Sequence, residues 1–479
     1  MKNMTFIAFL LALFSLSAQA QPYGMGLTFD DETETTSAPS YGMGLLFDDA
    51  AYDSIPLKAP LTRGLYVVPV RYSLKKYSPT PKHQGQYGTC TAWASAYAAR
   101  TIAAAHRNGW TNKATITRNA FSPGFIYNRI KSANDASCLK GTSIDKAAKT
   151  LVRLGVPKYR DFQAHCPDNI PRRLYRKAAG YKIKDYARLF LRTDRESLKV
   201  EIVKKSISED KPVLMAMNTP PSFQKLIGKD VWQPTEKPSG SYGGHAMTVI
   251  GYDDKKYGGA FEIQNSWGTG WGKGGYIWIK YHDFANFTRY AIELIDDPKP
   301  KPAYVPDLSG KLKFVLASGG KMPAKLVGQQ YQMKRAYYFG TRFRIYISNN
   351  EPAYVYALAL DKNGNVSKIF PHRDNISPAL TYKRNEVPIP DEYHYIGIDN
   401  TGGSDFLGVL YAKDKLDINT LRRQLERTRG SFANRLKKVL GNQLVDPSNI
   451  KYAISEIGFS ATSRGKKVVA LIVEIRGKR

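Results

Sequence analysis

Gln84-Gly85-Gln86-Tyr87-Gly88-Thr89-Cys90-Thr91-Ala92-Trp93-Ala94 decides how this 479-residue chain is read. A cysteine follows a glycine turn and opens an alanine-rich run with no Gly or Pro before Gly109. Such a run predicts a helix with a glycine stop. Cys90 then sits in the first turn, where unpaired backbone N–H groups and the positive end of the helix dipole favour an anion. The thiolate is the reactive form of cysteine, and this location lowers its pKa. A protonated histidine across a cleft would lower it further and give a nucleophile paired with a general acid.

Two later stretches supply candidates for that pairing: Gly243-Gly244-His245, and Gln264-Asn265-Ser266-Trp267-Gly268-Thr269-Gly270-Trp271-Gly272 followed by Gly275-Tyr276-Ile277-Trp278-Ile279. The order cysteine, histidine, then asparagine beside tryptophan resembles the papain-like cysteine peptidase family, over roughly residues 66–297. The resemblance implies that Asn265 holds the His245 ring in one tautomer. It implies that Trp267 covers that hydrogen bond. Gln84, six positions before Cys90, takes the family's place for a side chain that binds the oxyanion together with the Cys90 N–H. Gln86 is the weaker candidate for that donor. Gly88, Gly141, Gly244 and Trp267 take the places of substrate-binding residues. The local pattern departs from the family's usual one at Tyr87, Thr89 and Thr91. His245 and Asn265 also lie somewhat further from Cys90 than the roughly 130–150 positions common in papain-like enzymes.

The chain has three cysteines. An odd cysteine in an exported protein points to a reactive thiol. The segment from Cys138 to Cys166 resembles the family's disulfide-linked stretch beside the cleft, which would leave Cys90 as the odd one; two free buried cysteines are the alternative. The N-terminus has Lys2, an apolar run from Phe6 to Leu16, and Ser17-Ala18-Gln19-Ala20. These are the parts of a secretory signal peptide cleaved after Ala20, so a secreted or periplasmic location is expected. No later stretch reaches the ~18 apolar residues needed to span a membrane.

The net charge of +30 is uneven, with about −6 over residues 21–62, about +20 over 63–299 and about +15 over 300–479. A basic surface can attract an anionic polymer or surface, but no nucleic-acid motif accompanies it, so no specific nucleic-acid partner is expected. No Cys-x-x-Cys or His-x-x-x-His set is present, and neither a metal nor another cofactor is expected. His83 precedes Gln84 in a turn and reads as a surface or cleft-wall residue.

Residues 21–62 contain a repeat. Tyr23-Gly24-Met25-Gly26-Leu27-Thr28-Phe29-Asp30-Asp31 returns as Tyr41-Gly42-Met43-Gly44-Leu45-Leu46-Phe47-Asp48-Asp49. The segment reads as a mostly disordered, acidic prosegment carrying two copies of a linear motif. It either docks on the basic body in cis or serves as a plain tether.

The expected organisation is a signal peptide over 1–20, the prosegment over 21–62, and a papain-like domain over 63–297. A Pro-rich linker over 298–310, opening with Pro298-Lys299-Pro300-Lys301-Pro302 after Asp297, leads to a β-rich domain over 311–479. In the first domain, helices are expected from Cys90, near Phe121–Lys131, and over Ile144–Leu154 with a Thr142/Asp145 capping box. Strands are expected at Ala246–Tyr252, Ala260–Ile263 and Gly275–Lys280. The resemblance implies an α+β fold with a helical lobe facing an antiparallel β-lobe across the cleft. Beyond the linker, strands are expected at Phe343–Ile347, Ala353–Leu360, Val366–Phe370, Tyr395–Ile398, Phe406–Tyr411 and Lys467–Ile475. A basic helix over Asn419–Leu440 carries an apolar stripe of Leu421, Leu425, Phe432, Leu436 and Val439. This part resembles a β-sandwich-like domain of unknown function appended to bacterial peptidases.

The expected activity is that of a cysteine endopeptidase acting on a peptide or protein substrate through a Cys90 acyl-enzyme, with His245 as acid and base. A catalytically inactive papain-fold binding module and a Cys-dependent transpeptidase or ligase are the alternatives.

Overall fold

The computed structural model describes residues 41–61, 66–383, 386–399 and 403–478. The apolar N-terminus and the first repeat copy lie outside these residues. The helix that opens at Cys90 runs through Cys90–Ala92, Trp93–Arg100 and Thr101–Asn108, and stops at Gly109 in the left-handed region (φ +68°). Its middle stretch is wound more widely, as π-helix, and all eight of its residues are buried. Such widening is common near functional sites. Pro123–Ile130, capped by Ser122, and Ile144–Arg153 pack beside it. The second of these lacks the expected Thr142 cap: its N-cap is Ser143, with no side-chain hydrogen bond. The Thr142 backbone is instead committed to residues 44–46 of the N-terminal segment.

The first domain's sheet comprises β1 (Arg71–Ser73), β2 (Asp185–Arg188), β3 (Val213–Thr219), β4 (Val231–Trp232), β5 (Gly243–Asp253), β6 (Ala260–Gln264), β7 (Tyr276–Lys280) and β8 (Thr288–Ile295). Its order is β2-β8-β3-β5-β6-β7-β4, with β1 also on β5. The strands expected from alternation are β5, β6 and β7, paired antiparallel. β3 lies between β8 and β5 and is buried almost throughout, so it reads as a plain apolar run and escapes an alternation search. Leu214 and Ala216 face the helices in one core with Phe125 and Ile144. Val213, Met215 and Met217 face the other core with Trp232, Ile263 and Trp271. His245 thus enters at the start of β5, and Asn265 immediately follows β6.

The C-terminal domain is a sandwich. One sheet has the order Ala324–Val327, Gln330–Met333, Val468–Lys478, Gly403–Ala412, Ala353–Leu360, Val366–Phe370. The other has the order Val387–Ile389, Arg342–Ser348, Leu308–Leu316, Ile457–Ala461, Ile450–Tyr452. Phe314, Ile345 and Ile347 of one sheet share a core with Val355, Val409 and Leu471 of the other. The strand Leu308–Leu316 begins inside the stretch expected as linker, and the Tyr395–Ile398 strand shrinks to Ile396–Gly397. The expected helix over 419–440 is two, Ile418–Arg427 and Phe432–Leu440. Gly430 (φ +115°) breaks it, and the Ser431 side chain accepts from the Asn434 N–H to start the second. Leu421, Leu425, Phe432 and Leu436 cover Tyr356, Leu358 and Leu410 on the outer face of the sandwich. The two domains meet where Ala187 and Ile295 pack against Tyr354, with Lys415–Asp185 and Lys184–Asp414 ion pairs at the rim.

The stretch expected as a mostly disordered prosegment is ordered where it is described. Residues 41–61 form an ordered strap across both domains. Its apolar side chains find surfaces that an isolated segment lacks. Tyr52 and Ile55 enter the helical lobe's core, and Ala59 and Leu61 enter the sandwich core. Asp48 caps a helix over Asp49–Ser54. Asp49 pairs with Arg289 and Arg192, and Asp53 with Arg188 and Arg192, so the acidic segment does meet the basic body in cis. Burial works against the Asp49 charge, but the Tyr290 hydroxyl, Arg289 and Arg192 outweigh it and hold that carboxyl below the usual range.

Candidate active site

His245 and Asn265 meet as the resemblance implied: His245 Nε2 lies 2.7 Å from Asn265 Oδ1. That oxygen also accepts the Ser266 N–H at 2.7 Å, so it is the acceptor and Nε2 carries the proton. The other ring nitrogen, Nδ1, is buried and makes no hydrogen bond with the described residues. It is the lone pair free to exchange a proton. The Trp267 indole stacks on the imidazole at 4.3 Å between centroids and keeps water from the His245–Asn265 bond.

Cys90 is wholly buried and is the one free cysteine of the chain. Burial pushes its thiol up. The backbone N–H groups of Ala246 and Gly44 and the Thr91 hydroxyl and N–H oppose that push without overcoming it. The Ala246 contact sets the sulfur beside the residue that follows His245. Burial likewise pushes His245 down to about 4, against the Asn265 hydrogen bond. Sequence reasoning anticipates a lowered thiol pKa at the helix start. In this closed arrangement desolvation dominates, and the neutral thiol–imidazole pair is the favoured form.

The strap is what closes it. Leu45 N donates to Gly244 O (3.1 Å), Leu46 N to Thr142 O (3.0 Å), and Thr142 N to Gly44 O (2.8 Å). Gln84 Nε2 donates to Gly42 O at 2.9 Å and to Tyr87 O at 2.8 Å, while its Oε1 accepts from the Ser266 hydroxyl. Trp267 Nε1 also donates to Gly42 O, and Tyr41 stacks on the Trp267 ring at 4.7 Å. Gly88, Gly141, Gly244 and Trp267 all line the strap's path. A Cβ at Gly44 would stand 2.0 Å from Gly88 O, one at Gly141 2.1 Å from Gly44 O, and one at Gly244 2.4 Å from Leu45 O. Four chain segments, the strap and those at Gly88, Gly141 and Gly244, pass in backbone contact here, and only glycine permits it. The Gly42-x-Gly44 spacing was the sequence signal for this close approach. A reading of the segment as disordered passes over it. Ser266, which orients Gln84, was also missed. Gln86 and His83 are exposed, and His83 Nδ1 accepts from Gly85 N at 2.8 Å.

The two repeat copies differ only at Leu46, where the first has Thr28. Leu46 is 51% exposed, so every residue by which the second copy enters the cleft is present in the first.

Cys138 and Cys166 form a disulfide closing 28 residues beside the cleft. Cys138 O accepts the Gly88 N–H at 2.7 Å, which ties this loop to the cleft floor. Thiol counting on denatured, unreduced protein should find Cys90 alone. Replacing both bridged cysteines by alanine should cost about 3 kcal/mol of stability, read from denaturant midpoints.

The low pKa of His245 makes closure pH-dependent. A depressed histidine contributes stability that is present above its unfolded value near 6.5 and is lost as pH falls toward the folded value of about 4. The full shift is worth about 3 kcal/mol. The melting temperature of the intact chain should therefore drop between these pH values. His245→Gln should remove that part of the slope while leaving the carboxylate-driven fall at lower pH.

Residues 70–292 match the papain family cysteine protease, and residues 336–408 match a domain of unknown function, DUF4384. An uncharacterized peptidase C1-like protein of Acanthamoeba polyphaga mimivirus is 28% identical over 212 residues, covering 41% of this chain and 63% of that protein. A cysteine protease of Blomia tropicalis is 24% identical over 220 residues, covering 44% of this chain and 61% of that protein. The chain thus spans less than two thirds of the length of these curated relatives. Among solved structures, xylellain, a cysteine protease from Xylella fastidiosa, is 22% identical, with a TM-score of 0.43 over 54% of this chain and 97% of that one. Bromelain from Ananas comosus is 18% identical, with a TM-score of 0.39 over 48% of this chain and 100% of that one. Over residues 70–292 the chain therefore matches the papain family of cysteine proteases, in keeping with its Cys-His-Asn order, and over residues 336–408 it matches DUF4384.

Proposed function

We propose that this chain is the closed precursor of a secreted or periplasmic cysteine endopeptidase, in which residues 41–49 lie in the substrate groove. Once the groove is vacated and wetted, Cys90 loses its proton to His245 Nδ1 and attacks a substrate carbonyl carbon. The carbonyl oxygen takes the negative charge and is held by Gln84 Nε2–H and the Cys90 N–H. His245 gives its proton to the departing amine, leaving a thioester on Cys90. Water, deprotonated by His245, then releases the acid and restores the thiol. Asn265 keeps the ring turned for both transfers. The observation that carries this reading is that Gln84 Nε2 already binds a peptide carbonyl, Gly42 O, of the strap whose Gly44 N–H reaches the Cys90 sulfur. The basic body gives the enzyme a salt-sensitive affinity for anionic polymers or surfaces.

The test is activity on a peptide library after removal of residues 21–47, which clears the groove and keeps Tyr52, Lys58, Ala59 and Leu61 in place, with a hydroxylamine or amine nucleophile added in parallel. Acid products without the amine support a peptidase. Amide products at low amine concentration favour a transpeptidase, and no turnover together with retained peptide binding favours a binding module. In the intact chain, Gly44→Val should raise hydrolysis at least ~10-fold, because its Cβ cannot share space with the Gly88 backbone. A synthetic peptide of the first repeat copy should compete as well as one of the second. Both should be weak, since a free peptide lacks the strap's tether.

A further inference from the structure

The strap makes its firmest contacts away from the cleft. At the groove its backbone pairing rests on Leu45, Leu46 and Gly44, and hydrogen bonds of this kind each contribute little net, since they replace bonds to water. The Asp49 ion pairs are well exposed and screened by salt, and of the Asp53–Arg188 pair the carboxylate is exposed while the guanidinium is buried. Beyond them, Leu57 bridges Arg188 of the first domain on one side and Ile376 of the C-terminal domain on the other. Arg188 N donates to Pro56 O (3.1 Å), and Lys58 N to Arg188 O (2.9 Å). On the opposite edge, Leu57 N donates to Asn375 O (2.7 Å), and Ser377 N to Leu57 O (2.8 Å).

Lys58 is 4% exposed. Its ammonium pairs with Glu293 of β8, donates to the Thr381 hydroxyl, and lies 3.8 Å from the centre of the Tyr382 ring. Glu293 in turn accepts from Ser206 (2.8 Å), Thr381 (2.8 Å) and Tyr382 (3.0 Å). A buried carboxylate of the first domain is thus satisfied by Ser206 of its own domain together with the strap and the C-terminal domain. Removing either partner leaves a charge in the interior, which is strongly disfavoured. Ala59 and Leu61 then continue into the sandwich core.

We propose that the C-terminal domain is the anchor of the strap: by holding residues 57–61 it keeps residues 41–49 seated over Cys90, and loosening that hold opens the groove. This assigns a function to the domain, and it rests on the reading of the groove as the catalytic cleft. Anchoring at 57–61 turns weak backbone pairing at 44–46 into an intramolecular contact. Such linkage can raise occupancy by ~10²–10⁴ without any new contact at the groove.

The experiment follows alkylation of Cys90 by iodoacetamide in the intact chain, read by mass spectrometry; with Cys138 and Cys166 bridged, Cys90 is the one thiol available. It uses Tyr382→Ala on the domain side, Ala59→Asp on the strap side, and Gly44→Val at the groove. Both anchor variants should label at least ~10-fold faster than the unaltered chain, approaching Gly44→Val. Ala59→Asp alters only the strap, so near-UV circular dichroism and a retained melting transition will show the domains still folded. Slow labelling of both anchor variants beside fast labelling of Gly44→Val would overturn the anchor while leaving the blocked groove intact. Slow labelling of Gly44→Val as well would show that the strap does not guard the thiol, and the closed-precursor reading would fail with it.

Discussion

With residues 21–47 removed, Cys90→Ala should lower kcat/KM on peptide substrates by more than roughly 10³-fold while leaving the melting temperature close to that of the parent. The size follows from the chemistry. Alanine offers no atom to form the thioester, so what remains is the contribution of Gln84, the Cys90 N–H and substrate positioning. The fold should survive because the side chain is small, and its replacement leaves only a minor void among Ala92, Ala94 and Ala246. Peptide binding, measured by anisotropy, should be unchanged. Near-normal hydrolysis by the alanine variant would end the assignment of Cys90.

Gln84→Ala in the same truncated form should reduce kcat by roughly 10²–10³-fold, with a smaller change in KM, because the donor acts chiefly on the developing oxyanion. The substitution also leaves the Ser266 hydroxyl without its acceptor and Tyr87 O without its donor. Melting curves should therefore accompany the kinetics, since two orphaned groups can cost about 1–3 kcal/mol each. Gln86→Ala is the control. Its side chain is exposed, and its effect should stay within about 2-fold. Equal losses in the two variants would mean that Gln84 acts only by shaping the loop.

The parts legible in the sequence are those where chemistry constrains residue type in a short window. The helix that begins at Cys90, its stop at Gly109, the meeting of His245 with Asn265 under Trp267, and strands β5 to β7 all belong to this class. What escaped was set by tertiary context. β3 shows no alternation because both of its faces are buried. The Thr142/Asp145 box failed because the Thr142 backbone serves the strap. Asp49–Ser54 is too short for a helical period to show, and it is held by the burial of Tyr52, whose hydroxyl donates to Phe190 O at 2.9 Å. The pair Lys58 and Glu293 lies far apart in sequence and neither residue sits in a motif, so its burial could not be foreseen. In the C-terminal domain the long strands were legible, whereas Ile396–Gly397 and the break at Gly430 depended on packing that a local window does not contain.

The outward side chain of Leu46 has a practical consequence. It is the one strap position within the motif that differs between the copies, and it points away from the groove while both its neighbours are held. A cysteine placed there could carry a fluorophore that reports whether the groove is shut. The label would hang in solvent in the shut state and would not compete for the space that Gly42 and Gly44 keep clear. The same position suits the attachment of a reactive arm to a motif peptide, giving a reagent that reads the open form directly.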